Sequence, residues 1–223
     1  MTSNTPRTGR RRHALSKERI LQAAIAILDE EVADTESTGL TLRALMARLS
    51  TGSGAIYHYV ANMDELRAAA ADEVLRLSFA DVPSDADTMA RLRIVAAEIF
   101  DSLDAHSWVG AQLTRGAFQP GALRIWKVIG TELHHFGLTG AALTDAGSAL
   151  ANFIFGSAAQ HTLTSRQHAN GTDRAARLES VANQWRSFDR DPIVADIADR
   201  LSEHDDRGQF LAGVDIILRG IAG

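Results

Sequence analysis

Two constellations in the sequence carry side chains capable of chemistry. Glu132 and His135 stand three residues apart, which puts a carboxylate and an imidazole on one face of a helix, the spacing used by metal ligands in carboxylate bundles. Such a centre needs two pairs of this kind and two further glutamates, and the chain holds no second Glu-x-x-His. The second constellation is Ser53-Gly54-Ala55-Ile56-Tyr57-His58-Tyr59-Val60. Ile56 and Val60, four apart, form the inner face of a short helix and leave Ser53, Gly54, Ala55, Tyr57, His58 and Tyr59 for its outer faces. No Lys, Arg, Asp or Glu interrupts that surface. It suits the edges of base pairs in a major groove: hydrogen bonds from Ser and His, the Ala55 methyl against a thymine methyl, and aromatic or hydroxyl contacts, in place of arginine on guanine.

Other catalytic signatures are missing. The sequence has no Gly-rich phosphate loop, no Gly-x-Ser-x-Gly elbow and no His-Glu-x-x-His helix. With no cysteine in 223 residues there is no disulfide framework, thiolate zinc site or cysteine nucleophile, which fits a reducing cytosol. The expectation is a protein that is not an enzyme, with no cofactor and no metal. The longest apolar run, Ala149 to Ala159, is broken by Asn152 and falls short of the ~20 residues that cross a bilayer. No apolar h-region follows the first arginines, so a cytoplasmic protein without a membrane partner is expected.

The elements that must position the outer face of 53–60 are helices. Ser16 can cap a helix whose Ile20, Leu21, Ala24, Ile27 and Leu28 form one apolar stripe. Thr41 can cap a second, with Leu42, Leu45, Met46 and Leu49 at i, i+3, i+4 and i+7. Ser50-Thr51-Gly52-Ser53 is a polar turn, so two short helices flank it as a helix-turn-helix. Phosphate contacts are expected from Lys17 at the start of the first helix and from Thr41 and Arg43 at the start of the second. Helical patterning continues over 64–79, 85–107, 109–117, 120–135, 139–164, 192–202 and 206–221, and no alternating strand pattern occurs. The fold class is therefore all-α.

Charge is distributed unevenly. The formal net charge is −5, yet residues 1–19 hold six Lys and Arg against the single Glu18. A short basic arm attracts phosphates and can reach an adjacent minor groove. The arm (1–15) leads into a near-neutral helix-turn-helix domain (16–67), which is followed by an acidic bulk (68–223).

The segments Gly39-Leu40-Thr41-Leu42-Arg43-Ala44-Leu45-Met46-Ala47-Arg48-Leu49, Gly54-Ala55-Ile56-Tyr57-His58-Tyr59-Val60 and Asn62-Met63-Asp64-Glu65-Leu66 resemble the DNA-binding domain of the TetR family of repressors. The chain departs from the family pattern in three places. Ser50 stands where glycine usually follows the second helix, Gly52 where serine usually caps the third, and Met63 where a lysine usually begins the fourth. The first two predict a less regular turn with Ser53 taking over as cap, and the third removes an expected phosphate contact. Residues 149–160 and 210–221 resemble the dimer-forming helices of the tetracycline-repressor class. Their small residues Ala151, Gly156, Ala158, Ala159, Gly213 and Gly220, interleaved with Phe153, Phe155, Ile216 and Ile217, allow close helix approach.

The resemblance implies an N-terminal three-helix DNA-binding domain and a larger C-terminal helical domain for ligand binding and dimerisation. It implies a homodimeric, ligand-responsive regulator, a repressor by expectation, that grips a palindromic operator. In the tetracycline class a histidine and a glutamate hold a magnesium–drug complex. Here the corresponding positions fall near Thr114 and on Gln160, and a neutral amide is a poor ligand for a hard cation. An apolar or aromatic effector is expected instead, with Phe100, Trp108, Leu113, Ala117 and Trp126 nearest its pocket. The alternatives are a helical metal-dependent enzyme built on Glu132 and His135, and a dimeric ligand-binding protein that does not touch DNA.

Overall fold

The computed structural model describes residues 15–33, 39–83, 85–115, 119–168, 174–201 and 205–223. They form helices joined by short connections, with no strand among the described residues. Residues 1–14, most of the basic arm, lie outside that set.

Ser16 caps α1 (Lys17–Ala33), its hydroxyl accepting from the Arg19 amide at 3.2 Å. The stripe Ile20, Leu21, Ala24, Ile27 and Leu28 is buried along its whole length. Thr41 caps α2 (Leu42–Leu49), Oγ1 accepting from the Ala44 amide at 3.2 Å. After the turn come α3 (Ser53–Tyr57) and α4 (Met63–Ser78). Asn62 caps α4 by accepting from the Glu65 amide at 2.8 Å, and the Glu65 carboxylate accepts from the Ala61 amide at 2.8 Å, so the start of α4 is satisfied from both directions. α4 runs without a break through position 67, packing on α1 from one side and on α7 from another. The boundary expected between 67 and 68 falls inside this helix.

A 3₁₀ turn (Phe79–Asp81) leads to α5 (Thr88–Ala105), α6 (Trp108–Leu113), α7 (Pro120–His135) and α8 (Gly140–His168). α9 (Arg174–Phe188) and α10 (Pro192–Arg200) pack chiefly on each other, and α11 (Asp206–Ala222) lies against α5 and α8. Short α6 is enclosed by α1, α4, α5, α7 and α8. One hydrophobic cluster continues from Ile20 in α1 to Leu218 in α11, so the N-terminal helices and the bundle beneath them share a core.

Three sequence expectations shift. α9 lies outside the helical patterning read from the sequence, because its apolar positions are embedded in a run rich in Arg, Asn, Gln and Ser. α5 begins at Thr88 rather than near 85, since the Asp87 carboxylate caps it by accepting from the Met89 and Ala90 amides at 3.0 and 3.1 Å. α6 begins at Trp108 and ends at Leu113, short of 117.

Candidate nucleic-acid interface

α3 is oriented by two anchors. Ile56 is wholly buried and Val60 is 3% exposed, both within the core that α1 and α4 complete. Their burial turns Ser53, Gly54, Ala55, Tyr57 and His58 outward, all of them exposed, with Tyr57 at 47%. The α3 surface that faces solvent is therefore the uncharged one.

Tyr59 is placed differently from its neighbours. It is half-buried against the core, and its hydroxyl donates to the Leu15 carbonyl at 2.8 Å. Its ring meets His58 edge-on, with centroids 5.2 Å apart. Tyr59 thus spends its proton inside the protein and fixes the last residue of the basic arm beside the C-terminal end of α3.

Lys17, Thr41 and Arg43 are exposed. Among the described residues neither Lys17 nor Arg43 has a carboxylate partner, whereas Arg48, on the same helix as Arg43, is held by Glu30 of α1. Arg67 donates to the Leu40 carbonyl at 3.0 Å and locks the entry to α2 onto α4. Gly39, at φ +65, leaves room for the Glu31 carboxylate, which accepts from the Leu40 amide at 3.3 Å; a Cβ at Gly39 would sit 2.8 Å from that carboxylate.

The turn between α2 and α3 is regular. Ser50 takes the left-handed conformation (φ 50, ψ 48) that closes a helix C-terminus, the Ser50 amide donating to Ala47 and the Thr51 amide to Met46. Ser53 does not cap α3. Gly52 occupies that position, and no side chain bonds the first amides there. The left-handed backbone costs a serine about 1–2 kcal/mol. Glycine adds about 0.4–1 kcal/mol of unfolded-state entropy. The first term exceeds the second, so Ser50→Gly should stabilise the protein by up to about 1 kcal/mol and raise Tm by roughly 1–4 °C in thermal denaturation.

A junction ties these helices to the bundle. The Asp29 carboxylate of α1 sits 2.7 Å from His106 Nδ1 and accepts from Trp108 Nε1 at 2.7 Å. Beside it the Ser78 and Ser102 hydroxyls bond each other across α4 and α5. Further along, Arg124 of α7 forks onto Asp72 of α4 at 2.6 and 2.7 Å, and this carboxylate raises the guanidinium pKa. Asp29 carries no local signal in the sequence, because its partners lie 77 and 79 positions away. Asp29→Ala would strand the indole N–H; a loss of about 1–2 kcal/mol follows, read as a fall in Tm of roughly 2–8 °C.

The residues expected around an effector differ in burial. Phe100, Trp108 and Leu113 are buried in the shared core, and Phe100 packs on Phe210 with centroids 5.2 Å apart. Trp126 is half-buried over Gly147, where a Cβ would lie 3.2 Å from its ring. Ala117 lies outside the described residues. Sequence reasoning passed over Gln112, one residue before Leu113, although it is a buried polar side chain.

Glu132 is also buried, and both of its carboxylate oxygens are taken by Arg91, at 2.8 and 3.0 Å, an arrangement that raises the Arg91 pKa. His135, exposed at the end of α7, is its spacing partner in sequence only. Among the described residues no cluster of three metal-ligating side chains occurs, and no helix is long and apolar enough to cross a membrane.

The small residues of α8 and α11 divide between two surfaces. Ala151 and Ala158 are fully buried within the chain, and Gly213 abuts the Phe153 ring, so these three serve internal packing. Ala149, Asn152, Gly156 and Gln160 form an exposed stripe on α8, while Ile216, 63% exposed, and Gly220 lie on the exposed side of α11. A Cβ at Gly156 or Gly220 would meet nothing within 4 Å.

No protein-family profile matches the chain. A curated HTH-type transcriptional repressor, DrrR1 of Streptomyces coeruleorubidus, is 30% identical over 159 residues, covering 68% of this chain and 57% of that protein's length. The chain thus spans little more than half of that relative. SCO7222, a TetR from Streptomyces coelicolor, is 36% identical over 93% of this chain and 98% of its own, with a TM-score of 0.79. ActR of the same organism, solved in complex with actinorhodin, shares the fold at a TM-score of 0.70 and 23% identity, over 94% of this chain and 97% of its own.

Proposed function

Because the chain belongs to the TetR family of transcriptional regulators, we propose that it acts as a homodimeric repressor, binding a palindromic operator through α3 and released by a small molecule taken up in the C-terminal bundle. The observation that carries this reading is the outward, uncharged surface of Ser53, Gly54, Ala55, Tyr57 and His58, together with the exposed cations Lys17 and Arg43, which have no carboxylate partner among the described residues. Base edges meet the first group and phosphates the second. Tyr59 acts indirectly, by holding Leu15, the last residue of the basic arm, beside the C-terminal end of α3.

Dimerisation is supported by the exposed stripe of α8 and the neighbouring side of α11, whose glycines leave space for a second pair of helices and whose Ile216 is left in water by a lone chain. Twofold symmetry would place two α3 helices about one DNA turn (~34–36 Å) apart. The effector would favour a dimer with a different head spacing. A differential affinity of a few kcal/mol between the two forms is enough to switch occupancy. The Asp29 carboxylate links the bundle to α1 directly, through His106 and Trp108.

The test is binding to the DNA upstream of its own coding sequence at increasing salt. Affinity should fall steeply, with a log–log slope near −0.9 per phosphate engaged. Binding that ignores salt, or ignores sequence at every salt concentration, would refute the reading.

A further inference from the structure

Three polar or charged residues are buried among the described residues: Ser102, Gln112 and Glu132. Two of them are fully accounted for. Ser102 Oγ bonds Ser78 Oγ and the Glu98 carbonyl, and both Glu132 oxygens are held by Arg91. Gln112 is the exception. It is 9% exposed, and its Oε1 is sealed from solvent with no hydrogen-bond partner among the described residues. Folding has withdrawn an amide oxygen from water and returned nothing, which is a cost that an apolar side chain of similar size would avoid.

The setting of Gln112 sharpens the point. Trp108 and Val109, four and three residues earlier, share its helix face, and Leu113 follows it; all three are buried. α6 itself is enclosed by five other helices. A polar acceptor in such a place serves no solvation and closes no internal bond. A buried group left unsatisfied in a native fold calls for an explanation, and a lone polar group among apolar walls is the arrangement that orients a ligand.

We propose that Gln112 is the polar anchor of a ligand site at the centre of the bundle, and that the ligand is an aromatic or otherwise apolar molecule presenting one hydrogen-bond donor, such as a phenolic hydroxyl, to Oε1. The inference rests on the effector reading above and deepens it. An acceptor selects for a donor: a phenol can fill it, whereas the methyl ether of the same phenol cannot and would leave it orphaned. Discrimination by a site built to bond a hydroxyl is steep, because the mismatched ligand leaves the protein group unpaired.

The experiment compares 2-naphthol with 2-methoxynaphthalene, on the full-length protein and on Gln112→Met, by titration calorimetry and thermal shift in the absence of DNA. Wild type should bind the naphthol at least tenfold more tightly than the ether. Gln112→Met should lose that preference and melt no lower than wild type. Three results would overturn the proposal: equal binding of the two compounds by wild type, binding of neither, or a preference that survives in Gln112→Met. A higher Tm in the variant with the preference unchanged belongs to the last class and would mark Gln112 as an unpartnered oxygen and nothing more. Since the measurement needs no DNA, a protein that prefers the naphthol but binds no operator would refute the regulator reading and leave the site standing.

Discussion

Tyr57→Ala is expected to weaken operator binding about 10- to 100-fold, the ~1–3 kcal/mol carried by a well-placed contact to a base edge. The reason is positional. Tyr57 is 47% exposed on α3, whose opposite side is pinned by Ile56 and Val60, so truncating it removes contact area from the outer face without opening the core. Circular dichroism and sedimentation should be unchanged. Arg43→Ala should act by a different route. An exposed guanidinium with no carboxylate partner among the described residues can meet a phosphate, so its loss should weaken all sequences alike and reduce the salt slope by about 1. Fluorescence anisotropy on operator and scrambled duplexes, at several salt concentrations, separates the two effects. Unchanged affinity in both variants would remove α3 and the start of α2 from the reading surface. Tyr59→Phe offers an internal contrast: it breaks the bond to Leu15, so its effect should depend on the basic arm and vanish when residues 1–14 are deleted.

Gly156→Leu is expected to dissociate the dimer. In the isolated chain a Cβ at this position touches nothing within 4 Å, and leucine is the better helix former by about 1 kcal/mol, so the protomer should fold at least as well as before. At a close helix–helix contact the same side chain overpacks, at about 1–3 kcal/mol per copy. Twofold symmetry introduces it twice, so self-association should weaken by about 2–6 kcal/mol, roughly 30-fold to 10⁴-fold. Sedimentation equilibrium should then show monomers at micromolar concentration, and operator affinity should fall with them, because each head alone holds half a site. A variant that sediments as wild type would move the dimer interface away from the exposed stripe of α8.

The head of the molecule was legible because its rules are local. The stripe from Ile20 to Leu28, the caps Ser16 and Thr41, and the Ile56–Val60 pair are each readable within a few residues, and each is found where the spacing puts it. Local rules also misled. Ser50 suggests a disturbed turn, but two backbone hydrogen bonds, from the Ser50 amide to Ala47 and from the Thr51 amide to Met46, hold it in the conformation a glycine would take. In α9, Leu178, Val181, Ala182 and Trp185 recur at helical spacing, but polar residues dominate the run and mask the stripe, of which the fold buries only Ala182.

The bundle was harder to read, for a physical reason. Whether an aromatic lines a cavity or fills a core depends on partners far along the chain. Trp108 is fixed by Asp29, 79 residues earlier, and Phe100 by Phe210. Glu132 looked like a metal ligand in company with His135, yet its partner is Arg91, on another helix. Small residues on α8 and α11 were assigned to one interface, while the packing of Gly213 on Phe153 and the burial of Ala151 and Ala158 divide them between inside and outside. Gln112 gave no sequence signal at all, because an unsatisfied oxygen is defined by everything that fails to reach it.

Selection of duplexes from a random DNA pool by the full-length protein, followed by sequencing of the bound fraction, addresses the two-headed reading of DNA most directly. Two α3 helices related by a twofold axis should enrich an inverted repeat whose half-sites lie about one helical turn (~34–36 Å) apart, and Tyr57→Ala should abolish that enrichment. Enrichment of a single unpaired half-site, or of no sequence, would contradict it.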